Sequence, residues 1–317
     1  MPPYRIGIEI GGTKLQAALG NRAGEVLCRQ RQAVQPQAGG AAIRAALPAL
    51  LTALLTTAGA DWSEVAAIGI GFGGPLDAAG GAVLRSFQVG GWDGFPLRQW
   101  AQVTWGLPAA VTNDAAAAGL AEARLGAGRG VRRVFYATAG SGIGGGWIVD
   151  GRIDAGQGLG MAELGHTWVP DPQSGQPAEL ESICSGWSIG RRARLAAAHE
   201  PTTLPALAGS VEAIDARAVY TAAATGDRLA LRILDETTRT LGLALANVAA
   251  LLHPQVIVLG GGVALMGPLF WEALQREFAC RVLPPFAPGV RLLPSQLQED
   301  AVPVGGLCLA EDLLKGD

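Results

Sequence analysis

Asn113-Asp114 closes a short apolar run, Ala109-Ala110-Val111-Thr112, and opens an alanine-rich helical stretch from Ala115 to Leu125. A carboxylate at such a strand-to-helix junction can take a proton from a bound substrate as a general base. Either residue also reads as a helix N-cap, since a short side-chain oxygen there satisfies an orphaned backbone N–H. Glycine turns lie on both sides in sequence, Gly11-Gly12 upstream and Gly140 to Gly146 downstream. Between two turns of a kind that bind phosphate, the pair reads as a base facing a nucleotide.

The upstream turn sits in Glu9-Ile10-Gly11-Gly12-Thr13-Lys14. Two glycines let backbone N–H groups approach an anion with no Cβ in the way, Thr13 adds a hydroxyl donor, and Glu9 can hold a hydrated Mg²⁺. An ordinary Gly-Gly hairpin is the other reading. The downstream stretch, Ala139 to Gly146, holds five glycines in eight residues. That many glycines cost backbone entropy, so close approach to a phosphate by Gly140, Ser141, Gly142 and Gly144 is a reason to have them. A bulged hairpin is the alternative. Gly260-Gly261-Gly262 follows a strand and forms a third turn, suited to the adenosine side of a nucleotide. The spacing is not that of a dinucleotide fingerprint.

These residues require particular elements to position them. Arg5–Ile10, Lys14–Leu19 and Glu25–Arg31 read as strands, Ala41–Thr57 as a helix interrupted by Pro48, and Val65–Gly71 as a buried strand. A helix over Pro96–Trp105 precedes the Val111 strand. Gly126 to Gly130 then separates a second half that opens in the same manner, with a strand over Val131–Thr138, the glycine turn, and a return strand Trp147–Val149. Helices follow over Trp187–His199, Val211–Thr225 and Arg228–Leu252, then a strand Val256–Leu259. Pro303 suits the first turn of a C-terminal helix to Leu314. Strand, glycine turn, strand at the start of both halves implies two related α/β domains.

With 317 residues, 49% of them hydrophobic and 16% charged, the chain is globular and large enough for two domains. A net charge of −3 gives no basic field for nucleic acid or an anionic membrane. Cys28, Cys184, Cys280 and Cys308 form no CxxC pair and read as reduced thiols of a cytoplasmic protein. The longest apolar runs break well short of a membrane span. His199 and His253 read as structural, and Arg191-Arg192-Arg194 as a solvated helix face.

Taken in order, Glu9 to Lys14, Asn113-Asp114, the Gly140 to Gly146 loop, Glu163-Leu164-Gly165-His166 and Val258-Leu259-Gly260-Gly261-Gly262 resemble the ROK family of sugar kinases and sugar-responsive repressors. The resemblance covers the whole length. It implies two actin-like (ribonuclease H-like) α/β domains with ATP and sugar in the cleft between them. Residues 1–115 plus 300–317 would form the N-terminal domain and 116–299 the C-terminal one. Asp114 would be the base. Asn113, Glu163, His166 and Glu181 would hold further sugar hydroxyls, and Gly11, Gly12, Thr13, Lys14, Gly140, Ser141, Gly142, Gly144, Gly261 and Gly262 the nucleotide, with Mg²⁺ near Glu9. The family's habit is a homodimer.

Two departures bear on this expectation. Many relatives carry a zinc-binding CxCGxxGC loop before the second sugar-contacting Glu, where this chain reads Pro172-Gln173-Ser174-Gly175-Gln176-Pro177-Ala178-Glu179. With no thiolates there, no structural zinc is expected. His166 is then left to the sugar, and packing through Trp187 is expected to hold the Glu181 loop. Glu9 stands where many members have Asp, and Gln88 where an Asn often precedes Gly-Trp. The resulting expectation is an ATP-dependent hexose kinase, acting at the 6-hydroxyl. The alternatives are a non-catalytic sugar-binding regulator without a DNA-binding domain, and a kinase using polyphosphate, for which no basic run is visible.

Overall fold

The computed structural model describes residues 2–77 and 79–316. The chain forms two compact units, the first comprising Met1–Arg132, Gly146–Met161 and Gln296–Asp317, the second Arg133–Gly145 and Ala162–Ser295.

The first unit begins with β1 (Tyr4–Ile10), β2 (Lys14–Gly20) and β3 (Val26–Ala33), followed by α1 (Gly39–Ala58), β4 (Val65–Phe72), α2 (Leu97–Trp105), β5 (Ala109–Asn113) and α3 (Asp114–Leu125). Its sheet has the order β3-β2-β1-β4-β5. β1, β2 and β3 are antiparallel neighbours, while β4 and β5 run parallel to β1. β4 is buried at every position because both its faces are covered, so it reads as a continuous apolar run. The segment Pro36–Ala58 is long and apolar enough to cross a membrane by length and composition. In the fold, its stripe Ile43, Leu47, Leu51 and Leu54 is buried in the core of the sheet, and α1 runs on through Pro48. Helical spacing of the leucines, packed on one side, prevails over the single hydrogen bond that proline removes.

The remaining elements are β6 (Arg133–Ala139), β7 (Ile143–Val149), β8 (Arg152–Ile153), β9 (Trp168–Pro170), β10 (Pro177–Glu179), α4 (Leu180–Cys184), α5 (Gly186–Ala197), α6 (Leu204–Ala208), α7 (Ala216–Ala224), α8 (Arg228–Leu252), β11 (Val256–Gly260), α9 (Pro268–Ala279), β12 (Arg291–Pro294) and α10 (Ala301–Lys315). The second sheet has the order β12-β11-β6-β7-β8. β11 pairs in parallel with both β6 and β12, and β7 with β8 in antiparallel. A three-residue turn joins β6 to β7, a connection that only antiparallel strands allow. Read from its other edge, this sheet repeats the strand order of the first, which is the physical content of the repeat in the sequence. α7 starts later than the helical pattern suggests, because the Asp215 side chain accepts from the Ala218 N–H and fixes the start there.

α10 returns to the first unit and lies on β1, β4 and α3 at backbone distance. A Cβ on Gly7 would sit 1.9 Å from the Pro303 carbonyl oxygen, one on Gly69 1.9 Å from that of Gly306, and one on Gly305 2.0 Å from that of Ala117. Glycine is required at this seam because two backbones occupy the space a side chain would fill.

Candidate active site

Asn113 and Asp114 stand where β5 ends and α3 begins. The Asn113 Oδ1 accepts from the N–H groups of Ala115 (2.9 Å) and Ala116 (3.2 Å), and its Nδ2 donates to the Gly74 carbonyl at 3.2 Å. Asn113 is therefore the N-cap, and Asp114 is the first residue of the helix. Its Oδ1 accepts from the Ala115 N–H at 2.8 Å, which orients the carboxylate at the positive end of α3. A Cβ on Gly73 would approach the Asp114 Oδ2 to 3.3 Å, so glycine there keeps that oxygen's flank open.

Glu9, at the end of β1, belongs to the same group. It is 6% exposed, its Oε2 accepts no hydrogen bond, and the Lys14 Nζ stands 3.2 Å from that oxygen in poor hydrogen-bonding geometry. Burial lifts its carboxyl from 4.5 to about 7; Lys14 opposes the rise and the Asp114 charge adds to it. Mg²⁺ is commonly held by one or two carboxylates together with substrate phosphates and water. A buried carboxylate oxygen lacking a hydrogen bond fits that role. Among the described residues no group of three or more His, Cys, Asp or Glu could hold a metal unaided.

The raised pKa of Glu9 makes a prediction. The folded protein holds this proton more tightly than the unfolded chain, so the associated stability is full below about pH 4.5 and is lost as pH rises through about 7. Urea unfolding of metal-free protein should weaken by about 3 kcal/mol more across this range in the wild type than in Glu9→Gln. Equal slopes in the two proteins would exclude a raised Glu9 pKa.

The Gly11–Lys14 turn closes through a hydrogen bond from the Gly11 N–H to the Lys14 carbonyl, 3.1 Å. Gly12 has a reason the sequence did not reveal: a Cβ there would lie 1.8 Å from the Gln88 Oε1, so Gln88 occupies the space above the turn. Thr13 is exposed beside it.

In the second unit the two glycine turns meet at the C-terminal ends of β6 and β11. The Val263 N–H donates to the Ala139 carbonyl at 2.8 Å, and a Cβ on Gly261 (φ 87°) would come within 2.4 Å of the same oxygen. Gly140 and Gly262 border open space, with nothing within 4 Å of an added Cβ. The expected loop from Gly140 to Gly146 is shorter than its glycine count suggests, because β7 starts at Ile143. Gly144, expected to face phosphate from a loop, is instead a strand residue. Gly145 is a packing glycine: its Cβ would meet the Ala162 carbonyl at 2.2 Å.

Glu163, His166 and Glu181 are also brought together in this unit. Glu163 follows Ala162, whose φ of 69° is a left-handed conformation uncommon outside glycine, and this turn aims the side chain. Glu163 remains accessible to solvent, yet desolvation raises its pKa, His166 lowering and Glu181 raising it. The His166 Nδ1 lies 3.4 Å from the Glu179 Oε2. The Glu181 Oε2 accepts from the Ile143 N–H at 2.7 Å, which ties this carboxylate to the first residue after the glycine turn.

Trp187, expected to hold the Glu181 loop by packing, is 56% exposed and does not do so. The preceding segment is instead a small hairpin of β9 and β10, with Asp171 accepting from the N–H groups of Gln173 and Ser174. Arg192 is likewise not a solvated residue: it is 7% exposed and paired with Glu236. The signal was present in the sequence, since Ser188, Ile189, Arg192 and Ala193 share one face of a helix.

Two five-stranded sheets of one strand order, each with glycine turns after its first and fourth strands, define a protein of the actin-like, ribonuclease H-like class. The ROK family matches residues 5–313. A glucokinase from Halalkalibacterium halodurans is 31% identical over 310 residues, 96% of this chain and 93% of that protein. An N-acetylmannosamine kinase from Escherichia coli is 31% identical over 311 residues, 96% of this chain and 98% of that protein. The crystal structure of a ROK family glucokinase from Streptomyces griseus, in complex with glucose and AMPPNP, aligns with a TM-score of 0.85 at 32% identity, covering 98% of this chain and 99% of that one. The chain belongs to the ROK family.

Proposed function

We propose that this protein is an ATP-dependent sugar kinase that phosphorylates a hexose or hexose derivative at its 6-hydroxyl. The observation that carries the reading is the half-buried Asp114 carboxylate, fixed at the start of a capped helix near the buried carboxylate of Glu9, in a chain of ROK ancestry. Asp114 takes the proton from the sugar hydroxyl, the hydroxyl oxygen forms a bond to the γ-phosphorus, and the bond from that phosphorus to the bridging oxygen breaks to release ADP. Mg²⁺, with Glu9 as its protein ligand through water, would neutralise phosphate charge.

The glycine turns at Gly11–Lys14, Gly140–Gly142 and Gly260–Gly262 supply backbone N–H groups for the phosphates and room for the nucleotide. Glu163, His166 and Glu181 hold sugar hydroxyls, with Asn113 contributing through its amide nitrogen, since its oxygen is spent on the helix cap. Carboxylates discriminate among sugars because a missing hydroxyl leaves a desolvated acceptor unpaired.

An ADP-release assay across glucose, N-acetylmannosamine and other hexoses tests the reading, with polyphosphate as a separate donor. Turnover with at least one hexose and ATP is expected; no release with any of them would leave a sugar-binding protein without kinase activity. Glu163→Gln should raise the sugar KM by roughly 10- to 100-fold, the worth of one hydrogen bond to a charged group, while the ATP KM holds. An unchanged sugar KM would remove Glu163 from the site.

A further inference from the structure

The carboxylate of Glu181 sits on α4, a helix of a single turn whose carbonyls have almost no intrahelical partners. Three successive carbonyls of this turn are met by three side chains of α5. Ser188 Oγ donates to the Glu181 carbonyl at 2.8 Å, Arg191 Nη2 to that of Ser182 at 3.0 Å, and Arg192 Nη1 to that of Ile183 at 3.1 Å. The middle contact is exposed, but those of Ser188 and Arg192 are withdrawn from water. Arg192 is anchored in turn to α8, through Glu236 and the Thr237 Oγ1, and the Cys184 thiol donates to the Thr237 carbonyl.

We infer that Arg192, with Ser188, is a positioning residue for the sugar site: it locks α4 against α5 and α8 so that the Glu181 carboxylate stays on the Ile143 N–H. A buried guanidinium is an expensive way to stabilise a fold, since desolvating an ion pair offsets much of its attraction. Its five donors in a rigid fork do suit one purpose: pinning a carbonyl and a carboxylate at the same time. Through the bond of Glu181 to Ile143, the same rack fixes the edge of the Gly140–Gly142 turn. It rests on the reading of Glu181 as a sugar contact only for its consequence in catalysis; the positioning itself is measurable without sugar.

The test uses the full-length protein, comparing wild type, Glu236→Gln, and the double variant Arg192→Met with Glu236→Gln, which leaves no buried charge uncompensated. Hydrogen exchange of the Ile143 amide should accelerate about tenfold or more in the double variant, with amides of β1 and β4 unchanged, and stay near wild type in Glu236→Gln. The sugar KM should rise in the same order while the ATP KM stays within about twofold. Ser188→Ala, which removes a single hydroxyl, should accelerate the Ile143 exchange about threefold and serves if the double variant does not fold. Wild-type exchange at Ile143 in the double variant, or in Ser188→Ala where the double variant does not fold, overturns the inference. Glu181→Gln isolates the other reading: an unchanged sugar KM in that variant removes Glu181 from the sugar site, whereas a raised one with no response to loss of Arg192 defeats the rack.

Discussion

Asp114→Asn is expected to reduce kcat by about 10²- to 10⁴-fold, the range that positioned general bases supply. The substitution keeps size and leaves intact the Asn113 cap that starts α3. The carboxylate's interaction with the helix terminus is worth about 1 kcal/mol or less at an accessible site, so the fold should survive. Binding of a non-hydrolysable ATP analogue should stay within a few-fold of wild type, because the residues proposed for the nucleotide lie in the glycine turns. A kcat within tenfold of wild type would place the base elsewhere. The variant carries a second readout: the Asp114 charge contributes to the raised pKa of Glu9, so the loss of stability between pH 4.5 and about 7 should become shallower.

Gly306→Ala is expected to destabilise the protein by about 3 kcal/mol or more, at the upper end of what overpacking costs. Its new Cβ would come 2.6 Å from the Gly69 carbonyl oxygen, 2.7 Å from the Gly7 Cα and 3.1 Å from the Ile8 nitrogen. All three are backbone atoms of the central strands β1 and β4, and none can rotate aside as a side-chain tip would. α10 must lift from the sheet, and α3, which carries Asp114 and touches α10 through Ala117 and Gly305, must follow. Such a loss is a large share of a typical stability of about 5–15 kcal/mol, so poor solubility and low activity should accompany it. Gly90→Ala is the control, since nothing lies within 4 Å of an added Cβ there. Urea unfolding of both variants measures the difference; midpoints that coincide would mean the seam is looser than its backbone contacts imply.

Patterns that depend on near neighbours in the chain were legible in the sequence. The β5–α3 junction at Asn113-Asp114 could be read because a strand's apolar run and a capping side chain are local signals. The duplicated opening of the two halves could be read because each glycine turn sits directly between its strands. Even the Arg192 face of α5 was available from helical spacing, although three arginines in four residues, Arg191, Arg192 and Arg194, suggested solvent.

Tertiary structure alone decided what each glycine and each charge is for. Gly12, Gly145 and Gly261 carry the same letter, but one faces Gln88, one the Ala162 carbonyl and one the Ala139 carbonyl. Whether a glycine serves a ligand or a neighbouring backbone depends on atoms distant in sequence. The same holds for Glu9, whose carboxyl rises to about 7 because other strands and helices strip it of water. It holds equally for Trp187, expected to pack against the Glu181 loop in place of a zinc site and left exposed by the fold. Local chemistry can nominate an acid, a turn or a helix; desolvation and contact between distant segments are properties of the packed chain, and they set how strongly each residue acts.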